Sequence, residues 1–176
     1  LNAPDQLRTR LAWSLSQFIV VSDRKTNPEA LLYWATMLQK YGEGNYAELL
    51  YQVSVSPAMG HFLDNQQNRP KSAECNHCAP NENYARELMQ LFTLGVIKLN
   101  QDGTYVKNAK GDVVETYTQK DVEELARVLT GWNWDPEPRF RGDRNWGNWG
   151  KQMVPSTWAP ERDAGQKNLF GKVFPA

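Results

Sequence analysis

The chain is poor in the residues that most often build metal and redox centres: two cysteines and two histidines among 176 residues. A structural zinc ion takes four ligands, so His61, Cys75, His77 and Cys78 would all have to serve one site. Charge of one sign is not in excess either, since twenty basic residues balance twenty acidic ones. Without a basic surplus the surface cannot release enough counterions to bind nucleic acid non-specifically. Long hydrophobic runs are also missing. The longest candidate, Leu15 to Val21, is broken by Ser16 and Gln17, far short of the roughly 18 residues a membrane span needs. No low-complexity tract or internal repeat stands out. Leu1 is not an initiator and the chain stops abruptly at Phe174-Pro175-Ala176. The expectation is a central piece of a longer protein, with residues 1–176 forming a single helical domain.

What is present reads first as helices. Asn2 and Pro4 suit a helix start, and Leu7, Leu11, Leu15 and Phe18 recur at helical spacing towards a stop near Ser22-Asp23. Asn27-Pro28-Glu29 opens a second helix with Leu31, Leu32, Ala35 and Leu38 as its apolar face and Gly42 as its stop. Asn45 with Glu48 opens a third, and Ser56-Pro57 a short fourth that ends near Leu63. Residues 64–80 form a polar loop. Thr118 with Asp121 opens a last helix that runs to Thr130, with Val122, Leu125, Ala126 and Leu129 on one face. Between these lies a predicted β-hairpin insertion over 99–117, with Thr104 to Lys107 and Asp112 to Glu115 around a turn at Asn108 to Gly111. Residues 132–176 are expected to be a long irregular segment packed on the helices, carrying five of the seven tryptophans. The fold class is therefore mainly α: an orthogonal multi-helix bundle, a small inserted hairpin and a Trp-rich C-terminal segment.

The segment from Pro80 to Gly95 concentrates polarity on one side of a predicted helix. Thr93, Arg86, Gln90, Asn83 and Glu87 fall within about 140° of Glu82, opposite Leu91, Tyr84, Leu88, Phe92, Ala85 and Met89. Capping explains Asn81, but Asn83 lies inside the helix, where asparagine is a poor choice. Asp64, Asn65 and Asn68 lie just upstream. Together with Glu82, Asn83, Arg86 and Glu87 they form a candidate polar site in which carboxylates could serve acid–base chemistry. The simpler reading is a solvated helix face beside a loop, and a third is a buried, mutually satisfied network.

Four segments resemble one bacterial family: Leu7 to Ser22, Met59 to Asn68, Pro80 to Gly95 and Tyr117 to Trp132. On these the chain is similar to the domain of unknown function 1800 family. The resemblance implies an often exported protein, periplasmic or extracellular, encoded near a second family that resembles sulfatases. It brings no agreed activity, cofactor or catalytic residue. Three departures are visible. Cys75 to Cys78 is inserted, the 99–117 hairpin is inserted, and Arg162-Asp163 stands where many members have His-Asp. Arginine cannot replace a histidine in proton transfer.

Cys75-Asn76-His77-Cys78 admits a local disulfide, two free thiols, or a metal or redox role. The disulfide agrees with export. A metal role is not expected, because His77 between the cysteines looks badly placed to join them on one ion. His61, beside Gly60 and Phe62, reads as a packed histidine. The tryptophans, Trp132 and Trp134 foremost, either anchor the last segment or offer indole faces to a polysaccharide beside Arg139, Arg141 and Arg144. Two functions stand. The preferred one is a non-enzymatic envelope or extracellular protein with a structural, assembly or binding role. The alternative is an exported hydrolase-like enzyme that acts on a polymer or glycan through the Asp/Asn/Glu/Arg site.

Overall fold

The computed structural model describes residues 4–135 and 148–175. Six helices build the core: α1 (Gln6–Leu15), α2 (Pro28–Tyr41), α3 (Tyr46–Ser54), α4 (Pro57–Phe62), α5 (Asn83–Gln90) and α6 (Gln119–Val128). None is long and apolar enough to cross a membrane among the described residues. Three of the six helix starts are capped by local side chains. Asn27 Oδ1 accepts from the Glu29 N–H at 2.8 Å and Asn45 Oδ1 from the Ala47 N–H at 2.8 Å. Thr118 and Asp121 form a reciprocal capping box on α6.

Helix α2 is the hub, packing against α1, α3 and α4, while α5 packs on α6. Its buried face is Ala30, Trp34, Met37 and Leu38, not the expected Leu31, Leu32, Ala35 and Leu38. Leu32 is exposed. Two series at helical spacing compete on this helix, and the one carrying the larger Trp34 and Met37 side chains takes the interior. The core continues through Leu49, Val53, Met59, Tyr84, Met89, Val122 and Ala126.

Two helices are shorter than expected. Helix α1 ends at Leu15 and α5 at Gln90, each followed by turns. Asn2 lies outside the described residues. The predicted hairpin is a three-segment unit instead. Bridges pair Ile97 with Glu115, Leu99 with Tyr105, and Lys107 with Val113. The Lys98 N–H donates to Val114, Val114 to Val106 and Val106 back to Lys98, at 2.9, 3.0 and 2.9 Å. An eight-residue repeat underlies it: Asn100-x-x-Gly103-Thr104 and Asn108-x-x-Gly111-Asp112 form the same turn twice. The glycines sit at φ 82° and 88°, open to glycine at little cost.

The expected irregular C-terminal segment contains regular pieces. Strand β1 (Trp132–Asn133) pairs antiparallel with β2 (Val154–Pro155), and β3 (Lys167–Leu169) with β4 (Lys172–Phe174). A 3-10 turn spans Ala159–Glu161. Trp146, Arg139, Arg141 and Arg144 lie outside the described residues. Fewer than half of the described residues are helical, so the mainly α description holds for the core and not for the surface built on it.

Candidate functional site

The structure brings the 64–68 loop against the start of α5. Asp64 takes a left-handed conformation, φ 58°, which Asp tolerates better than most residues. One carboxylate oxygen accepts from Lys25 Nζ at 2.7 Å and the other from Asn83 Nδ2 at 3.0 Å. Asn83 is the first residue of α5 and not an interior one, and its amide ties the helix to the loop. Asn68 is buried and acts as a bracket. Its Oδ1 accepts from the Asn81 N–H at 2.7 Å, and its Nδ2 faces the carbonyls of Asn81 and Ala126 at 3.4 Å. Its carbonyl accepts from the Gly131 N–H at 2.8 Å, and Gln67 donates its N–H to Trp132 at 2.8 Å. One loop thus joins α5, α6 and β1.

Glu82 and Arg86 turn towards α6. Arg86 donates to Glu82 at 2.6 Å and to Gln119 at 3.1 Å, and Gln119 donates to Glu82 at 2.9 Å. This triad is half exposed. Asn65 and Glu87 differ from the other five. The Asn65 side chain is buried with neither amide atom hydrogen-bonded, and Glu87 Oε2 is buried without a partner among the described residues. Buried polar atoms left so are costly, and few occur in native proteins.

Cys75 and Cys78 are joined in a disulfide. In this oxidised loop His77 is not remote from the cysteines: ligand atoms of Cys75, His77 and Cys78 all lie within 4.8 Å of one another, the two sulfurs being bonded to each other. Of the tryptophans, Trp149 is buried in the core, with Trp134 tilted against it at 4.7 Å and His61 edge-on at 5.2 Å. Anchoring is what Trp149 and Trp134 do; Trp132 is half-buried in β1, and Trp158 is exposed.

Two features were not singled out from the sequence. The first is an ionic network that docks the C-terminal hairpin. Arg127 grips Asp163 with two hydrogen bonds, 2.7 and 3.0 Å, and Glu124 with two more, 2.8 and 3.0 Å. Lys167 Nζ adds an ion pair to Asp163 at 3.3 Å. The Arg127 guanidinium holds the Asp163 carboxyl down at about 2. Glu124 is lowered chiefly by the Asn168 N–H that it accepts at 2.7 Å. Arg127 and Asp163 are 36 residues apart in sequence, so helical spacing marks the local Glu124–Arg127 pair but not the contact that docks the hairpin.

The second is a cleft of about 500 Å³ between the three-segment insertion, the start of α6 and the β3–β4 turn. Lys98, Lys120, Tyr117 and Asn168 line it, with Glu115 and Asp121 among the remainder. None of the seven residues of the expected polar site does. Phe170 stands at its rim, exposed, at φ 51°, with Gly171 following at 72°. A bulky residue at positive φ is strained, and such strain concentrates at functional sites. Asp121 Oδ1 holds that turn by accepting the Phe170 N–H at 2.7 Å. Burial opposes the charge of Asp121, but its hydrogen bonds with Thr118 and Phe170 keep its carboxyl below the ordinary range.

Fold and site together define a helical domain whose polar seams lock its elements and whose open cleft lies to one side of them. The chain belongs to the family described as protein of unknown function (DUF1800), whose family model matches residues 1–176. No curated protein and no solved structure matches it.

Proposed function

We propose that this is a binding and assembly protein of the bacterial envelope, periplasmic or extracellular, that holds an extended anionic polysaccharide in the cleft beside α6. The observation that carries the reading is Phe170, an aromatic ring presented to solvent from a backbone position that glycine would fill without strain. Tyr117 offers a second aromatic surface, while Lys98 and Lys120 offer charge and Asn168 an amide. Aromatic faces with cations and amides suit sugar rings bearing sulfate or carboxylate groups. The sulfatase-like partner implied by the family resemblance would act on the same class of polymer. The Cys75–Cys78 disulfide agrees with an oxidising compartment.

Phe170→Gly tests it. Relief of the left-handed strain should leave stability unchanged or raised, while affinity for a sulfated oligosaccharide falls roughly tenfold, the scale of one lost aromatic contact. Calorimetric titration and a denaturant midpoint measure the two. Wild-type protein that binds no acidic oligosaccharide would overturn the proposal.

A second reading, the hydrolase-like enzyme acting on a polymer or glycan, is favoured by one observation: the unpartnered buried atoms of Asn65 and Glu87. Glu87→Gln separates the two. A folded variant that loses a polymer-cleaving activity present in the wild type supports the enzyme, and a variant that retains it does not.

A further inference from the structure

We propose that the reduced Cys75–Cys78 loop is a metal site for a thiophilic divalent ion of the zinc class, held by both thiolates and the His77 imidazole. His77 Nε2 already lies 3.5 Å from Cys75 Sγ. Two ligands on a tetrahedral zinc, at Zn–S and Zn–N distances of about 2.3 and 2.05 Å, are about 3.6 Å apart. That pair therefore has the spacing the ion requires before any ion arrives. Cys78 needs only to part from Cys75, which breaking the disulfide permits.

Hydrogen bonds support the loop alongside the sulfur–sulfur bond. Ser72 and Cys75 exchange N–H···O hydrogen bonds at 3.2 Å in both directions, and the Cys78 N–H donates to the Cys75 carbonyl at 3.3 Å. The Ser72 hydroxyl accepts a further bond from the Cys75 N–H at 3.2 Å. These bonds hold Cys75 and Cys78 in one turn independently of the sulfur–sulfur bond, with His77 between them in sequence. Access is one-sided: Cys75 is buried, Cys78 half-buried and His77 exposed. A reducing dithiol would attack Cys78 Sγ, the more accessible sulfur, and Cys75 would leave as a thiolate beside His77. The dithiol closes to its own disulfide, and the protein gains two electrons and two protons as a pair of thiols. Metal binding then releases both thiol protons. Three protein ligands leave the fourth position open to water or to an outside donor.

The test uses the whole protein, reduced with excess dithiol and freed of it without oxygen. Zn²⁺ is titrated against a chromophoric chelator, with Co²⁺ as the spectroscopic probe. The expected result is one ion per chain, thiolate-to-cobalt charge-transfer absorption, and no binding by the oxidised protein. His77→Ala, at an exposed position, should weaken Zn²⁺ binding roughly tenfold or more while both thiols remain titratable; changes even one shell further out cost that much. Reduced wild type that binds no Zn²⁺, or a His77→Ala protein that binds as tightly as wild type, would overturn it.

Discussion

Asn68 and Asp64 stand in one loop, and their environments assign them different weights. Asn68 is buried, and its Oδ1 is the acceptor for the Asn81 N–H. Asn68→Ala removes that acceptor and leaves a part-buried donor unpaired, a loss of about 1–3 kcal/mol. Asp64 pairs with Lys25 where both side chains are nearly half exposed. Asp64→Asn should cost under about 1 kcal/mol, because water screens such pairs. Denaturant midpoints of the two variants check the difference, and equal losses would refute the assignment. The candidate set was legible in the sequence as a concentration of amides and carboxylates, and the structure does join the loop to α5. Its division of labour was not legible. Whether a buried asparagine brackets two elements, as Asn68 does, or lacks a side-chain hydrogen-bond partner among the described residues, as Asn65 does, depends on residues such as Asn81 and Ala126, which arrive from other parts of the chain.

Among the elements, α6 was read closely because its determinants are local. Thr118 and Asp121 lie three residues apart and answer each other. Thr118→Ala should cost about 1 kcal/mol, the usual worth of such a cap. The β3–β4 hairpin went unread because a hairpin this short is fixed by what it docks on. Here the Asn168 and Phe170 N–H groups donate to Glu124 and Asp121 of α6, and Asp163 completes the join through Arg127. The depressed Asp163 pKa sets a pH window. Its folded value, about 2, lies below the ordinary 3.8, so the stabilisation is fully present above about pH 4 and fades as pH falls towards 2. Asp163→Asn should be less stable at neutral pH, and the difference from wild type should shrink through that interval. Thermal unfolding at a series of acidic pH values follows it, and a constant difference would count against the Arg127 pairing. The double turn at Asn100 to Thr104 and Asn108 to Asp112 repeats with a period of eight residues, which belongs to neither helix nor strand, so hydrophobic periodicity does not reveal it.

At the scale of the whole molecule, the segment from Asn148 onward straps the helices together at several points. The Met153 N–H donates to the Val55 carbonyl at 2.7 Å, Gln152 bonds Gln52, and Trp149 enters the core beside Trp134 and His61. Gly60 on α4 makes room for this strap: a Cβ there would lie 2.4 Å from the Met153 sulfur and 3.3 Å from Gln66 Cβ. The sulfur belongs to a flexible side chain that can shift, whereas Gln66 belongs to the loop that carries Asn65 and Asn68. Gly60→Ala should therefore cost about 1–3 kcal/mol by overpacking. Trp149→Ala should cost about 3–5 kcal/mol, since it empties a core position instead of crowding it. The two variants also differ in reach. The first acts where the strap meets the 64–68 loop, so amide exchange should rise around residues 60–68 and 153. The second should raise exchange across α2 and α4 as well, because the core cluster that includes Trp149 also holds Trp34 and Met59. Exchange that rises only within residues 148–155 in the Trp149 variant would mean that the strap decorates the helical core and does not complete it.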